Sequence, residues 1–180
     1  MPRPRRQQVS LADTPYYHII SRCVRRTFLC GEDRTTGRSY EHRRGWIEER
    51  IRILASLFTV DVAAYAVMSN HYHLVIKLSP EQADTWSDDE VLARWCCLYQ
   101  GPPLVQRYQQ GNNLSEAELR RVDQYAETFK ERLTDLSWFM KCLNEPIARK
   151  ANQEDDCTGH FYEGHPWPSP LWGQPSAVPI

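Results

Sequence analysis

An α+β fold built on an antiparallel sheet is what this 180-residue sequence predicts. Three observations lead there. Residues 16–24, 60–68 and 71–78 are rich in β-branched and aromatic residues, largely with period two, and read as strands. The second and third are separated by only Ser69-Asn70, a turn that makes them an antiparallel hairpin. Between the first and second strands the apolar residues recur at the helical period, so the order is strand, helix, strand, strand. With 41% apolar and 11% aromatic residues the chain can bury a core, and its length suits one domain.

Residues 1–9 form a basic arm opening Met1-Pro2-Arg3-Pro4-Arg5-Arg6. Pro15 is tolerable at the entry to the first strand, Tyr16 to Val24. Arg25 to Arg38 is polar, contains Gly31 and Gly37, and reads as a loop. From Ser39 to Leu57, Trp46, Ile47, Ile51, Leu54 and Leu57 fit one helical face, which places the arginines on the exposed side. The Val60–Met68 strand, the turn and the histidine strand follow. Residues from about 80 to 132 change texture. Pro80, Gly101-Pro102-Pro103 and Gly111-Asn112-Asn113 punctuate two helices, one over 88–99 and one from Ser115, whose Glu118 completes a capping box. This stretch reads as a helical insertion with no chemistry of its own. Leu136, Phe139, Met140, Leu143, Ile147 and Ala151 then mark a helix capped at Thr134 or Asp135, with Pro146 expected to kink it. Residues 165–180 are proline-rich and predict an irregular tail.

The formal net charge of -1 is unevenly spread. Residues 1–52 hold twelve arginines against six acids, a net of +6; the rest holds ten cations against seventeen acids, a net of -7. An all-arginine basic third suits phosphate oxygens and points to a polyanion-binding face, with a solvated basic arm as the alternative. Arg22, Arg25 and Arg26, at the end of the first strand, are its candidate DNA contacts. Tyr16, Tyr17 and Trp46 read chiefly as core residues, with stacking on unpaired bases as the alternative. Six cysteines without C-x-x-C spacing read as reduced thiols. No apolar run approaches the roughly 20 residues of a membrane span, and the basic start has no apolar stretch behind it, so a cytoplasmic protein is expected.

The phrase His71-Tyr72-His73 carries the chemistry. In a strand, His71 and His73 share one face while Tyr72, Leu74, Ile76 and Leu78 share the other. Burying the apolar set leaves two imidazoles side by side, an arrangement that lets two neutral nitrogens reach one metal ion. Two surface histidines on a half-exposed strand are the alternative. His18, on the neighbouring strand, either assists the pair or is an ordinary sheet histidine.

Residues 64–75, Ala-Tyr-Ala-Val-Met-Ser-Asn-His-Tyr-His-Leu-Val, resemble the signature of the IS200-like transposases, within the HUH (His-hydrophobic-His) single-strand endonucleases. The nearest branch is that of the REP-associated tyrosine transposases. Tyr17-His18-Ile19-Ile20-Ser21-Arg22, the helix from Leu136 to Asn152, and Gly159-His160-Phe161-Tyr162-Glu163-Gly164 extend the likeness in order over roughly residues 10–164. The resemblance implies a ferredoxin-like sheet with helices on one face and, as a mobile-element protein, a role in DNA transposition and recombination. The partner would be single-stranded or hairpin DNA. It also implies a divalent ion, Mg²⁺ or Mn²⁺, held by His71, His73 and a polar helix residue matched here by Asn152. The ion polarises the scissile phosphate for attack by a helix-borne tyrosine. That tyrosine is missing: its expected place, around Glu145-Pro146-Ile147-Ala148, holds proline. The final residues depart from the pattern too. Together these features imply a degenerate or C-terminally altered copy, with a catalytically inactive DNA-binding remnant as the alternative to an enzyme. Tyr99, Tyr108 and Tyr125 of the insertion are the other helical phenols.

Overall fold

A computed structural model describes residues 14–24 and 28–163, together with the backbone of 167–170. The basic arm, Arg25 and Arg26, and residues 164–166 and 171–180 lie outside the described residues. Strands β1 (Tyr16–Arg22), β2 (Val60–Val67), β3 (His71–Leu78) and β4 (Trp167–Pro170) form one antiparallel sheet in the order β2-β3-β1-β4. Helix α1 (His42–Leu57) connects β1 to β2, and helices follow β3, so the fold is α+β with the strand order of a ferredoxin-like sheet.

One face of the sheet is covered. Tyr17, Ile19, Tyr72, Leu74 and Ile76 are almost fully buried beneath Ile47, Ile51 and Leu54 of α1 and Phe139, Leu143 and Ile147 of α5 (Leu136–Glu154). The alternation in β3 is strict, each buried residue followed by a half-exposed one, and it leaves the histidines on the uncovered face.

Two sequence expectations need correction. The first concerns the tail, where Trp167–Pro170 is a strand paired with β1. Prolines at alternate positions, 168 and 170, lose donors on a single edge of the strand. Trp167 and Ser169 keep theirs for the ladder, so an edge position accepts this composition.

The second concerns Arg43. The helical period put the arginines of α1 in solvent, yet Arg43 is fully buried. It donates to Glu154 at 2.9 Å, to Asp155 at 2.5 Å and to the carbonyl of Phe28 at 2.9 Å, and its guanidinium lies 4.4 Å from the Tyr40 ring centroid. A buried guanidinium is tolerated when its donors are used and its charge is matched. Both carboxylates come from the end of α5, 111 and 112 residues away, so one helix period could not reveal them.

Pro146 lies inside α5, which runs unbroken from Leu136 to Glu154. Proline at 146 deprives the carbonyl four residues earlier, that of Cys142, of its helical donor. Arg50 of α1 supplies the replacement, its Nε donating to the Cys142 carbonyl at 2.9 Å. Replacing Arg50 by methionine is therefore expected to cost about 1–3 kcal/mol, the penalty of an unsatisfied polar group, measured by urea unfolding. Stability unchanged within error would show that water serves the carbonyl equally well.

The segment after β3 holds a 3₁₀ turn (Pro80–Thr85), α2 (Asp88–Cys96), α3 (Pro103–Gln109) and α4 (Glu116–Leu133). The capping box at Ser115 and Glu118 forms as expected. Helix α3 was not expected, because Gly101-Pro102-Pro103 reads as a break. Gly101 takes a left-handed φ of 72° and Pro103 occupies a first-turn position where no helical donor is needed, so the same residues start a helix. The segment is tied back where the Thr59 amide donates to the Leu133 carbonyl at 3.2 Å. No helix among the described residues is long and apolar enough to cross a membrane. All six cysteines are free, and Cys23, Cys30 and Cys142 are buried.

Candidate functional site on the open sheet face

Backbone bonds around the Ser69-Asn70 turn position the histidine strand. The Ser69 carbonyl accepts from the amides of Leu29 and Cys30, at 2.6 and 3.2 Å, and the Asn70 carbonyl accepts from Cys23 at 2.8 Å. The loop after β1 thus braces the entry to β3. From beneath, Tyr72 donates its hydroxyl to Asn144 Oδ1 of α5 at 2.5 Å, which fixes the strand between the two imidazoles against the helical layer.

On the open face, β1 and β3 pair Arg22 with His71, Ile20 with His73, His18 with Val75 and Tyr16 with Lys77. His18 is therefore diagonal to His73, within reach of an aromatic side chain. The rings stack with centroids 5.0 Å apart, and His18 Nε2 lies 2.9 Å from His73 Nδ1. His71 meets His73 edge-on at 5.0 Å, and its Nδ1 lies 2.6 Å from Asn70 Oδ1. Three imidazoles thus form one cluster. Ile20, 40% exposed, adjoins it, and Arg22 lies at its end.

The bond to Asn70 sets the tautomer of His71, and the one between His18 and His73 can run in either sense. An amide oxygen only accepts, so His71 donates from Nδ1 and keeps its Nε2 lone pair. If His73 donates from Nδ1 to His18, its Nε2 is free as well, and the pair offers two neutral nitrogen ligands. The reverse donation puts a proton on His73 Nε2. This is the outer-partner role that a carbonyl or carboxylate plays for metal-bound histidines. Burial followed by the nearby His73 lowers the pKa of His18, and burial, His73 and Arg22 lower that of His71.

These shifts have a sign in stability. The folded state binds fewer protons than the unfolded chain once pH falls below the ordinary histidine value of 6.5, so that stabilisation is present above it and lost as pH drops. The melting temperature is expected to fall between about pH 7.5 and about pH 5.5, above the range where carboxylates titrate. His18→Gln with His71→Gln should flatten the fall; an unchanged slope would remove the cluster as its cause.

The structure does not bring every candidate here. Arg22 reaches the cluster, whereas Arg25 and Arg26 lie outside the described residues. Asn152 is on α5, in the layer covering the Tyr72 face, and its amide donates to the Gly159 carbonyl at 2.9 Å. It stands apart from the histidine face. Among the described residues no group of three or more His, Cys, Asp or Glu is arranged to hold a metal ion.

The phenols are also elsewhere. Tyr99 pairs with Cys142 Sγ and Tyr108 with Asp89, both in the helical layer. Burial, and then the Cys142 contact, push the Tyr99 phenol well above its ordinary value, and the bond to Asp89 raises that of Tyr108. A nucleophilic phenolate needs the opposite shift. Tyr16 is on the open face, two same-face rows beyond His73 in the register and so roughly 13 Å along the strand. Tyr17 is buried and Trp46 is half-buried beside Lys150. Sequence reasoning missed Asn70 as the partner that orients His71, although its place next to the histidine was the available signal. Comparison with family models, with curated proteins and with solved structures finds no match for this chain.

Proposed function

We propose that the protein binds single-stranded or hairpin DNA across its open sheet face and does not itself cleave it, as a relative of the HUH transposases that its histidine phrase resembles. The observation carrying this reading is the cluster of His18, His71 and His73 beside Arg22, on a sheet face that none of the described helices covers and where, among the described residues, no phenol adjoins the imidazoles. Cationic and flat groups on an open sheet offer phosphate contacts and stacking. His71 and His73 would hold a divalent ion through Nε2, and the donor chemistry fits one: two oriented neutral imidazoles suit Mn²⁺, Co²⁺ or Zn²⁺ better than oxygen-seeking Mg²⁺. Bound there, the ion would polarise a phosphate oxygen. The chain's own residues orient the imidazoles, Asn70 for His71, and place Arg22 for a neighbouring phosphate.

The test mixes the protein with an end-labelled hairpin oligonucleotide and Mn²⁺. Binding should weaken as salt rises from about 50 to about 200 mM, with a slope of about -0.7 per phosphate contact. Denaturing gels should show no covalent adduct. An adduct would overturn the non-cleaving reading, and absence of binding would overturn the whole of it.

A further inference from the structure

The helical segment after β3 contains a second feature that the open sheet face does not explain. Between α2, α4 and the first turns of α5 lies a cleft of about 540 Å³, within the range of small-molecule sites. Tyr125 and Phe129, four residues apart, project from one face of α4, and Trp95 of α2 is followed by Tyr99 in the turn after that helix, whose amide donates to the Trp95 carbonyl at 3.1 Å. Their rings form a near-parallel ladder. Tyr125 stacks on Phe129 at 6.0 Å, Phe129 on Trp95 at 4.7 Å, and Trp95 on Tyr99 at 4.8 Å, with no interplanar angle above 29°. Trp138 closes the side edge-on to Trp95.

Core packing accounts for Trp95 and Phe129, which are buried, but not for the cations around them. The guanidinium of Arg132 lies 4.5 Å from the Trp138 ring centroid and 5.2 Å from that of Trp95. Lys141 is 4.6 Å from Trp138, and Arg121 is 4.9 Å from Tyr125. No carboxylate lines the cleft. Arg132 and Lys141 make no hydrogen bond or ion pair to any described residue, and Arg121 donates only to Gln124. The contrast with the neighbouring residues is sharp. Residues 80–133 hold ten acids against six cations, a net of -4, and Arg94, Arg107 and Arg120 are each paired with a glutamate. Arg121 and Arg132 of this acidic segment, joined by Lys141 of α5, group cations without ion-pair partners on stacked rings and match a ligand that has both a flat π-face and a negative charge.

We propose that this cleft binds an unpaired nucleotide of a single strand, the base extending the aromatic ladder and the flanking phosphates meeting Arg121, Arg132 and Lys141. Base-on-aromatic stacking with cation–π support is how sequence-tolerant single-strand binders work. A strand, rather than a free nucleotide, suits three separate cations, since successive phosphates can engage each. The inference rests on the DNA-binding reading for its partner but on different residues, and it adds a second contact region to the sheet face.

The test follows tryptophan fluorescence of the full chain as a single-stranded oligonucleotide is added. Quenching is expected, because Trp95 and Trp138 line the cleft. Arg121→Gln with Lys141→Gln, both exposed and outside the core, should keep the parent melting temperature and lower the salt slope by about 1.4, two contacts' worth. Tyr125→Leu should weaken binding about tenfold. Arg22→Gln serves as the sheet-face control. If it weakens binding while the cleft variants bind like the parent, the cleft proposal falls and the sheet-face reading stands. If only the cleft variants lose affinity, the proposal holds and the sheet-face reading fails. No binding of any single strand, equal quenching by duplex of the same sequence, or saturation by free dAMP at the oligonucleotide's concentration would each overturn the proposal.

Discussion

Replacing Arg43 by methionine is expected to destabilise the protein by about 3–5 kcal/mol, a large part of the stability of a domain this size. The guanidinium is completely enclosed and serves Glu154, Asp155 and the Phe28 carbonyl at once. Removing it leaves the Phe28 carbonyl and Asp155 without their Arg43 hydrogen bonds and Glu154 with His42 as its remaining close donor. Burial works against the Glu154 charge, but hydrogen bonds from His42 and Arg43 outweigh it and hold its pKa below the usual value. That bond's contribution is present above the ordinary carboxylate range and lost as pH falls through it. Urea unfolding of Arg43→Met gives the cost. Adding Glu154→Gln and Asp155→Asn to Arg43→Met should restore part of the loss, because the stranded charges go with the guanidinium. If the triple variant is no more stable than the single one, packing rather than charge is what Arg43 supplies.

Mn²⁺ is expected to raise the melting temperature of the parent protein, and His71→Ala with His73→Ala to abolish the rise. At a hundredfold excess over its dissociation constant a native-state ligand contributes about 2.7 kcal/mol. For a chain of this length that is roughly 5–10 °C. His18 adds a finer prediction, because a hydrogen bond donated by His73 Nδ1 to His18 Nε2 leaves the His73 Nε2 free for the ion. His18→Leu should lower the Mn²⁺ affinity about 10–100-fold, as loss of an outer partner does. His18→Gln, whose amide oxygen still accepts, should retain most of the rise. No rise in the parent would mean that the imidazoles serve the sheet face without metal. Equal effects of Leu and Gln would remove the orienting role.

Much of the architecture was legible because it is local. Strict alternation in Tyr72, Leu74, Ile76 and Leu78 is a property of neighbouring residues, and it placed His71 and His73 on the opposite face before any fold was known. The hairpin followed from a two-residue gap, and the capping box at Ser115 from a three-residue spacing. What lay beyond the sequence has a common cause. The period of α1 alone places Arg43 in solvent, and the residues around Pro146 do not show what serves the Cys142 carbonyl. The groups that decide them, Arg50 for Pro146 and the Glu154–Asp155 pair for Arg43, belong to another helix. The 80–132 stretch had no visible chemistry because its aromatic ladder is split between α4 and the end of α2 with the turn after it, and no single window contains it.

The sequence by itself determined which residues alternate, which turn joins β2 to β3, and therefore that two histidines share a face. Only the tertiary structure decided what meets that face and what does not. Strand order brought His18 diagonal to His73, while the packing of α5 on the Tyr72 side put Asn152 in the opposite layer. The physical reason is range. Side-chain direction is fixed by φ and ψ over a few residues, whereas the partner of a hydrogen bond or a charge is chosen by how distant elements pack to bury apolar surface.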